Sequence, residues 1–215
     1  MPLLALFDVD GTLFLTHDPL SSEALVGTLR ELYAVGPPDD AVERVDHAGQ
    51  TAKRIARLVL RAEGLDDAAV DRRFDEWCEA FGARYVELLA AADTSGWQVA
   101  PGAADALVRL QDAGVRLALL TGNPEPMARA RMRRLGLERF FAEGQGGFGC
   151  DAEERGELIA VARERAGGWP AARTVEIGDT ARDVETARAA GVRSIAVGSP
   201  PDLAEVADLL LAWNG

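Results

Sequence analysis

The chain has 215 residues, 35 acidic against 23 basic, for a formal net charge of −12. That balance argues against nucleic acid or an anionic membrane surface as a partner, and says nothing about a small phosphorylated metabolite, which would be bound locally. The length allows one good core, or one core with a smaller appended domain. Arginine dominates the basic set, and Lys53 is the only lysine. Cys78 and Cys150 stand far apart without metal-ligand spacing, so the sequence predicts reduced thiols rather than a disulfide. No leader-like start and no apolar run of bilayer length is found, which predicts a soluble, cytoplasmic protein, monomeric or homodimeric.

The first element is an apolar strand, Leu3 to Phe7, that ends in Asp8 and Asp10 and then Gly11-Thr12. Its uniform apolarity suits a parallel sheet with helices on both faces. From Phe14 the pattern loosens, and the stretch to about Ala92 reads as helical throughout. Ser21 or Ser22 can cap a helix carrying Leu25, Leu29 and Leu32, ended by Pro37-Pro38. A second helix runs from Thr51 to before Gly64. A third starts near Asp67 and carries Val70, Phe74, Trp77, Phe81, Tyr85, Leu88 and Leu89 at helical spacing. Asp93 to Gly96 reads as a hinge.

Strands then alternate with helices. Val115 to Leu120 is a strand ending in Thr121-Gly122-Asn123, followed by a helix from Pro124 to Leu135. Phe140 to Ala142 is a candidate short third strand, and Gly144 to Gly149 a flexible connection that lacks the ending of a phosphate loop. A helix spans about Glu153 to Ala166, with Asp151 and Glu154 as a capping box. Thr174 to Ile177 is a strand ending in Gly178-Asp179. A helix to Ala190, a strand Arg193 to Val197 and a helix Leu203 to Trp213 complete the chain. This alternation implies an α/β fold with an open parallel sheet. The domains expected are a core of residues 1–15 and 97–215, with a helical cap at 16–96.

Three strand ends finish in polar residues, Asp8 with Asp10, Thr121 with Asn123, and Asp179, and in a parallel sheet such ends share one edge. Asp8 and Asp10 point to the same side of their strand terminus. Two carboxylates so placed need a cation or a proton to neutralise them, and a divalent ion with oxygen ligands, most simply magnesium, serves.

The run Asp8-Val9-Asp10-Gly11-Thr12-Leu13 resembles the first motif of the haloacid dehalogenase superfamily, in its phosphatase branch. Thr121-Gly122-Asn123 and Ile177-Gly178-Asp179-Thr180-Ala181-Arg182-Asp183 are similar to later motifs of that family. The resemblance covers essentially the whole chain. It implies a Rossmann-like sheet of strand order 5-4-1-2-3 with an inserted helical cap, and Mg2+ as cofactor. It also implies Asp8 as nucleophile forming an aspartyl phosphate, and Asp10 as general acid and then base. Thr121, Gly122 and Asn123 would hold phosphoryl oxygens, and Asp8, Asp10 through its carbonyl, Asp179 and Asp183 would bind the metal.

One departure stands out: the lysine usual to the third motif is absent from the core. Arg155 is the candidate replacement, able to bridge a carboxylate and a phosphate, with Lys53 reaching down from the cap as its rival. In the cap, Gly49, Gln50, Thr51, Lys53 and Arg54 resemble the substrate loop of phosphoglycolate phosphatase-like members. The expected function is hydrolysis of a small phosphomonoester, phosphoglycolate or another short organic phosphate. A sugar phosphomutase of the β-phosphoglucomutase kind and a non-catalytic binding protein are the alternatives.

Overall fold

The computed structural model describes residues 1–215. Leu4–Phe7 forms β1, and the alternation of its side chains divides the core into two layers. Leu3, Ala5 and Phe7 point to one side, among Leu117, Leu119, Val175 and Ile177. Leu4 and Leu6 point to the other, among Ala118, Leu120, Leu158 and Ile159. A strand with both faces buried belongs inside a parallel sheet, and β1 occupies its centre.

After β1 the chain makes four helices: α1 (Pro19–Tyr33), α2 (Ala52–Ala62), α3 (Asp67–Asp71) and α4 (Phe74–Ala91). It then returns through α5 (Ala103–Asp112), β2 (Arg116–Thr121), α6 (Glu125–Arg134), β3 (Gly147–Phe148), α7 (Arg155–Arg165), β4 (Thr174–Gly178), α8 (Ala181–Ala189), β5 (Arg193–Ala196) and α9 (Leu203–Asn214). All pairings are parallel, in the order β3-β2-β1-β4-β5, so the sheet has the expected doubly wound topology. α5 and α9 cover one face, α7 and α8 the other. The four inserted helices close around a second core built on Leu29, Leu60, Trp77, Phe81 and Tyr85, joined by Met127 and Ala130 of α6. The two chain crossings between this helical unit and the sheet run side by side, with the Leu15 amide donating to Gln98 at 2.9 Å. Phe14 and Trp97 pack together there, ring centroids 4.7 Å apart.

Several local expectations are corrected. α1 is capped by Asp18, whose carboxylate accepts from the Leu20 amide at 3.1 Å, and not by Ser21 or Ser22. Pro19 at the first helical turn fixes that start, and the helix stops at Tyr33, ahead of Pro37-Pro38. The long third helix is broken, because Arg73 leaves helical backbone angles and turns its guanidinium to the Leu32 carbonyl and Glu76. Phe140 ends a short 3-10 turn, Glu138–Phe140, and packs with Phe141 into the core. The third strand lies within the glycine-rich stretch instead. Glycine is required there, since a Cβ on Gly147 would come 2.3 Å from the Leu158 carbonyl oxygen.

The cysteines form the largest correction. Cys78 of α4 and Cys150, just beyond β3, are joined in a disulfide, with Cα atoms 5.9 Å apart. A separation of 72 residues hid a pair that the docking of α4 brings together. No helix is long and apolar enough to cross a membrane.

Candidate active site

β1, β2 and β4 end along one edge of the sheet, and each delivers polar side chains there. Asp8 continues the ladder, its amide donating to Ile177 at 2.8 Å, and its carboxylate is buried at the strand end. Burial pushes the Asp8 carboxyl up to about 8; Arg155 pulls against this, while the charges of Asp183 and Asp10 push the same way. Asp10 sits on the turn that follows, its side chain 52% exposed. Gly11 makes the turn at φ +80°, and a Cβ there would lie 2.1 Å from an Asp179 carboxylate oxygen, so only glycine lets the turn approach Asp179.

From β2, the buried Thr121 hydroxyl accepts from the Asn123 amide at 3.2 Å and from its side chain at 3.1 Å. The same Asn123 Nδ2 donates to Asp10 Oδ2 at 2.5 Å. Asn123 therefore ties Thr121 to Asp10 rather than capping α6, which begins after Pro124 without a side-chain cap. The Gly122 carbonyl accepts from the Ala52 amide at 2.8 Å, so the first turn of α2 docks on this loop.

Beyond β4, Asp183 and Thr180 form a capping box at the start of α8: Asp183 Oδ2 accepts from the Thr180 amide at 2.9 Å and its hydroxyl at 2.7 Å. That arrangement fixes the Asp183 carboxylate at the start of α8. One carboxylate oxygen each from Asp8, Asp179 and Asp183 lies within 4.8 Å of the others. Burial raises the Asp179 carboxyl, and Asp183 and Asp10 add to the shift. A donor set of carboxylate oxygens alone fits a hard divalent cation such as magnesium.

Arg155 is the first residue of α7 and almost fully buried. Its guanidinium donates to Asp8 Oδ1 at 3.0 Å, to the Gly49 carbonyl at 3.4 Å, and pairs with Asp183. Glu176, buried in the middle of β4, lies 3.8 Å from Arg155 Nε. Burial works against the arginine charge, yet Asp8, Asp183 and Glu176 together hold its pKa above the ordinary value. The expected Asp151–Glu154 capping box is absent, because Asp151 accepts from the Phe148 amide at 2.8 Å and pairs with Arg165 at 2.6 Å.

The cap-loop residues divide. Gly49 and Gln50 line the cavity between the sheet edge and the helical unit, about 450 Å³ in volume. Thr51 caps α2, accepting from the Arg54 amide at 3.1 Å and donating to the Glu153 carbonyl at 2.6 Å. Lys53 pairs with Asp75 at 3.1 Å and Arg54 with Glu153 at 3.2 Å, and neither lines the cavity. Of the two candidates for the third-motif charge, Arg155 reaches Asp8 and Lys53 does not.

Two charged residues at the site escaped sequence reading. Glu176 stood in plain view as a carboxylate inside the apolar strand Val175 to Ile177, and burial raises it to about 8. Arg131 falls four residues after the buried Met127 on α6, a cation on an apolar face, yet the surrounding arginines masked it.

A family profile described as haloacid dehalogenase-like hydrolase matches residues 3–191. A phosphoglycolate phosphatase of Rhodospirillum rubrum is 33% identical over 197 residues, 89% of this chain and 78% of that protein. The tyrosine-protein kinase PtkA of Mycobacterium tuberculosis is 32% identical over 202 residues, 92% of this chain and 62% of its own. Among solved structures, CbbY of Rhodobacter sphaeroides in complex with xylulose-(1,5)bisphosphate superposes with a TM-score of 0.61 at 23% identity, over 94% of this chain and 88% of that one.

Proposed function

Because this chain belongs to the haloacid dehalogenase-like hydrolases, we propose that it is a magnesium-dependent phosphatase of small phosphomonoesters, working through an aspartyl phosphate on Asp8. The observation that carries the reading is the convergence of Asp8, Asp10, Thr121, Asn123, Arg155 and Asp179 on one cavity. Its volume of about 450 Å³ suits a short phosphate ester and lies in the range of small-molecule sites.

Magnesium would be held by Asp8, Asp179, Asp183 and the Asp10 carbonyl, and would supply positive charge against the carboxylates and the phosphoryl group. Asp8 attacks phosphorus, and the bond to the leaving oxygen breaks. Asp10 gives that oxygen a proton, then takes one from the water that cleaves the phosphoryl-enzyme. Thr121 and the Gly122 and Asn123 amides hold the phosphoryl oxygens, and Arg155 offsets the Asp8 charge. The helical unit acts as the cap, excluding water from the reacting atoms. Because Lys53 and Arg54 are engaged elsewhere, His17, Ser21, Ser22, His47 and Gln50 meet the rest of the substrate. Phosphoglycolate or a comparably short organic phosphate is the proposed class. A cytoplasmic location belongs to this reading; the Cys78–Cys150 disulfide pulls against it, since cytosolic thiols are kept reduced.

The test is phosphate release from a panel of phosphomonoesters with magnesium, beside Asp8→Asn. The expected result is metal-dependent release that falls at least ~10³-fold in the variant. Isomerised sugar phosphate instead of free phosphate would replace hydrolysis by a mutase, and metal binding without turnover of any ester would replace both by a binding role.

A further inference from the structure

Arg131 lies on α6 with its side chain 2% exposed, and every guanidinium nitrogen is engaged. Nη1 donates to Asp10 Oδ1 at 2.7 Å, Nη2 to Asp18 Oδ2 at 2.8 Å, and Nε to the Tyr85 hydroxyl at 3.0 Å. The Tyr85 hydroxyl donates in turn to the same Asp18 oxygen at 2.6 Å. The rings of Phe14 and Tyr85 lie 5.1 and 5.3 Å from the guanidinium carbon. A cation fixed this firmly has no free arm for substrate.

A buried arginine needs a counter-charge, and Asp18, itself 2% exposed, supplies one. The arm to Asp10 is not needed for that purpose. Asp10 is the half-exposed partner, and nothing on its own turn holds its carboxyl. Arg131 takes one of its oxygens and Asn123 the other. We propose that Arg131 is a positioning residue, which with Asn123 fixes the Asp10 carboxyl toward the cavity so that it can serve the leaving oxygen. Asp18 caps α1 and Tyr85 belongs to α4, so the same guanidinium makes the aim of Asp10 depend on the docked helical unit. Arg131 itself neither gives nor takes a proton; the proton passes from Asp10 to the leaving oxygen as the phosphorus–oxygen bond breaks.

The inference rests on the phosphatase reading, and the experiment separates the two. An alkyl ester, glycerol 3-phosphate, has a poor leaving group that needs protonation, whereas p-nitrophenyl phosphate has a good one that does not. Turnover of both is measured with magnesium for the parent, Arg131→Lys and Tyr85→Phe. Because kcat/KM ends at release of the leaving group and omits the later dephosphorylation common to both esters, the expected result is a fall in kcat/KM of about 10–100-fold on the alkyl ester for Arg131→Lys, with a fall of no more than ~3-fold on the aryl ester. Tyr85→Phe, which removes one hydroxyl and keeps the ring, should show the same asymmetry at smaller size, and it decides the matter if Arg131→Lys does not fold. Equal losses in kcat/KM on the two esters, or no loss, would overturn the positioning role and leave the phosphatase intact. A parent that releases phosphate from no phosphomonoester of the panel would overturn the phosphatase reading, and this inference with it.

Discussion

At the Arg155 guanidinium three buried carboxylates, Asp8, Asp183 and Glu176, share one cation. Glu176 is the member with no part in the proposed chemistry, and its effect on stability can be derived. Burial, reinforced by Asp183 and Asp8 and opposed by Arg155, raises its carboxyl from 4.5 to about 8. The folded protein therefore binds a proton that the unfolded chain releases above pH 4.5. Stability falls as pH rises between those two values, and the full cost is felt above the folded one. Glu176→Gln removes this slope. Thermal unfolding of variant and parent from pH 5 to pH 8 should show the variant gaining relative stability as pH rises; a constant difference would refute the assignment. Arg131, Glu176 and Asp18 also mark what residue-level reading could not reach. Each is ionisable and buried, and a sequence shows an ionisable group without showing the partner or proton that makes burial tolerable.

Among the elements, the loop after β2 and the start of α2 fit backbone against backbone. Gly122 accepts the Ala52 amide through its carbonyl, and a Cβ on it would stand 2.1 Å from the Gln50 carbonyl oxygen. Backbone cannot step aside as a flexible side chain can, so Gly122→Ala should lift α2 from the loop and open the substrate cavity. The expected outcome is a loss of about 1–3 kcal/mol in stability together with a raised KM. Unchanged unfolding temperature and KM would show that the contact is dispensable. Element reading succeeded where periodicity is strong. β1, β2 and β4 announce themselves as apolar runs with polar ends, and the whole site edge follows from them. It failed at β3, which pairs only Gly147 and Phe148 with β2, too short for any period to register. It failed too at the α3–α4 break, where Arg73 divides its guanidinium between Leu32 of α1 and its near neighbour Glu76.

For the molecule as a whole, the sheet and the helical unit each close their own core. They meet through Met127 and Ala130 of α6, which pack into the helical core, the side-by-side crossings near Leu15 and Gln98, the docked first turn of α2, the Arg131 network and the Cys78–Cys150 disulfide. The fold class was open to sequence reading because crossover rules leave few topologies for such an alternation, whereas the strand order came from the resemblance of the motifs to a known family. The disulfide was not, because nothing local to either cysteine records that α4 returns to the β3 edge. By the chain-entropy argument, a bridge across 72 residues restricts the unfolded chain by about 4 kcal/mol, so reduction should lower the unfolding temperature markedly.

The bridge also changes what a single cut can do. Cys78 lies before the Asp93–Gly96 segment and Cys150 well after it. A protease that nicks the exposed backbone near Ser95 leaves two fragments, one with β1 and the helical unit, the other with the rest of the sheet. The bridge staples them together. Such nicked protein should migrate as one species on a denaturing gel without reductant and as two with it. Two species without reductant would mean that the staple had not formed.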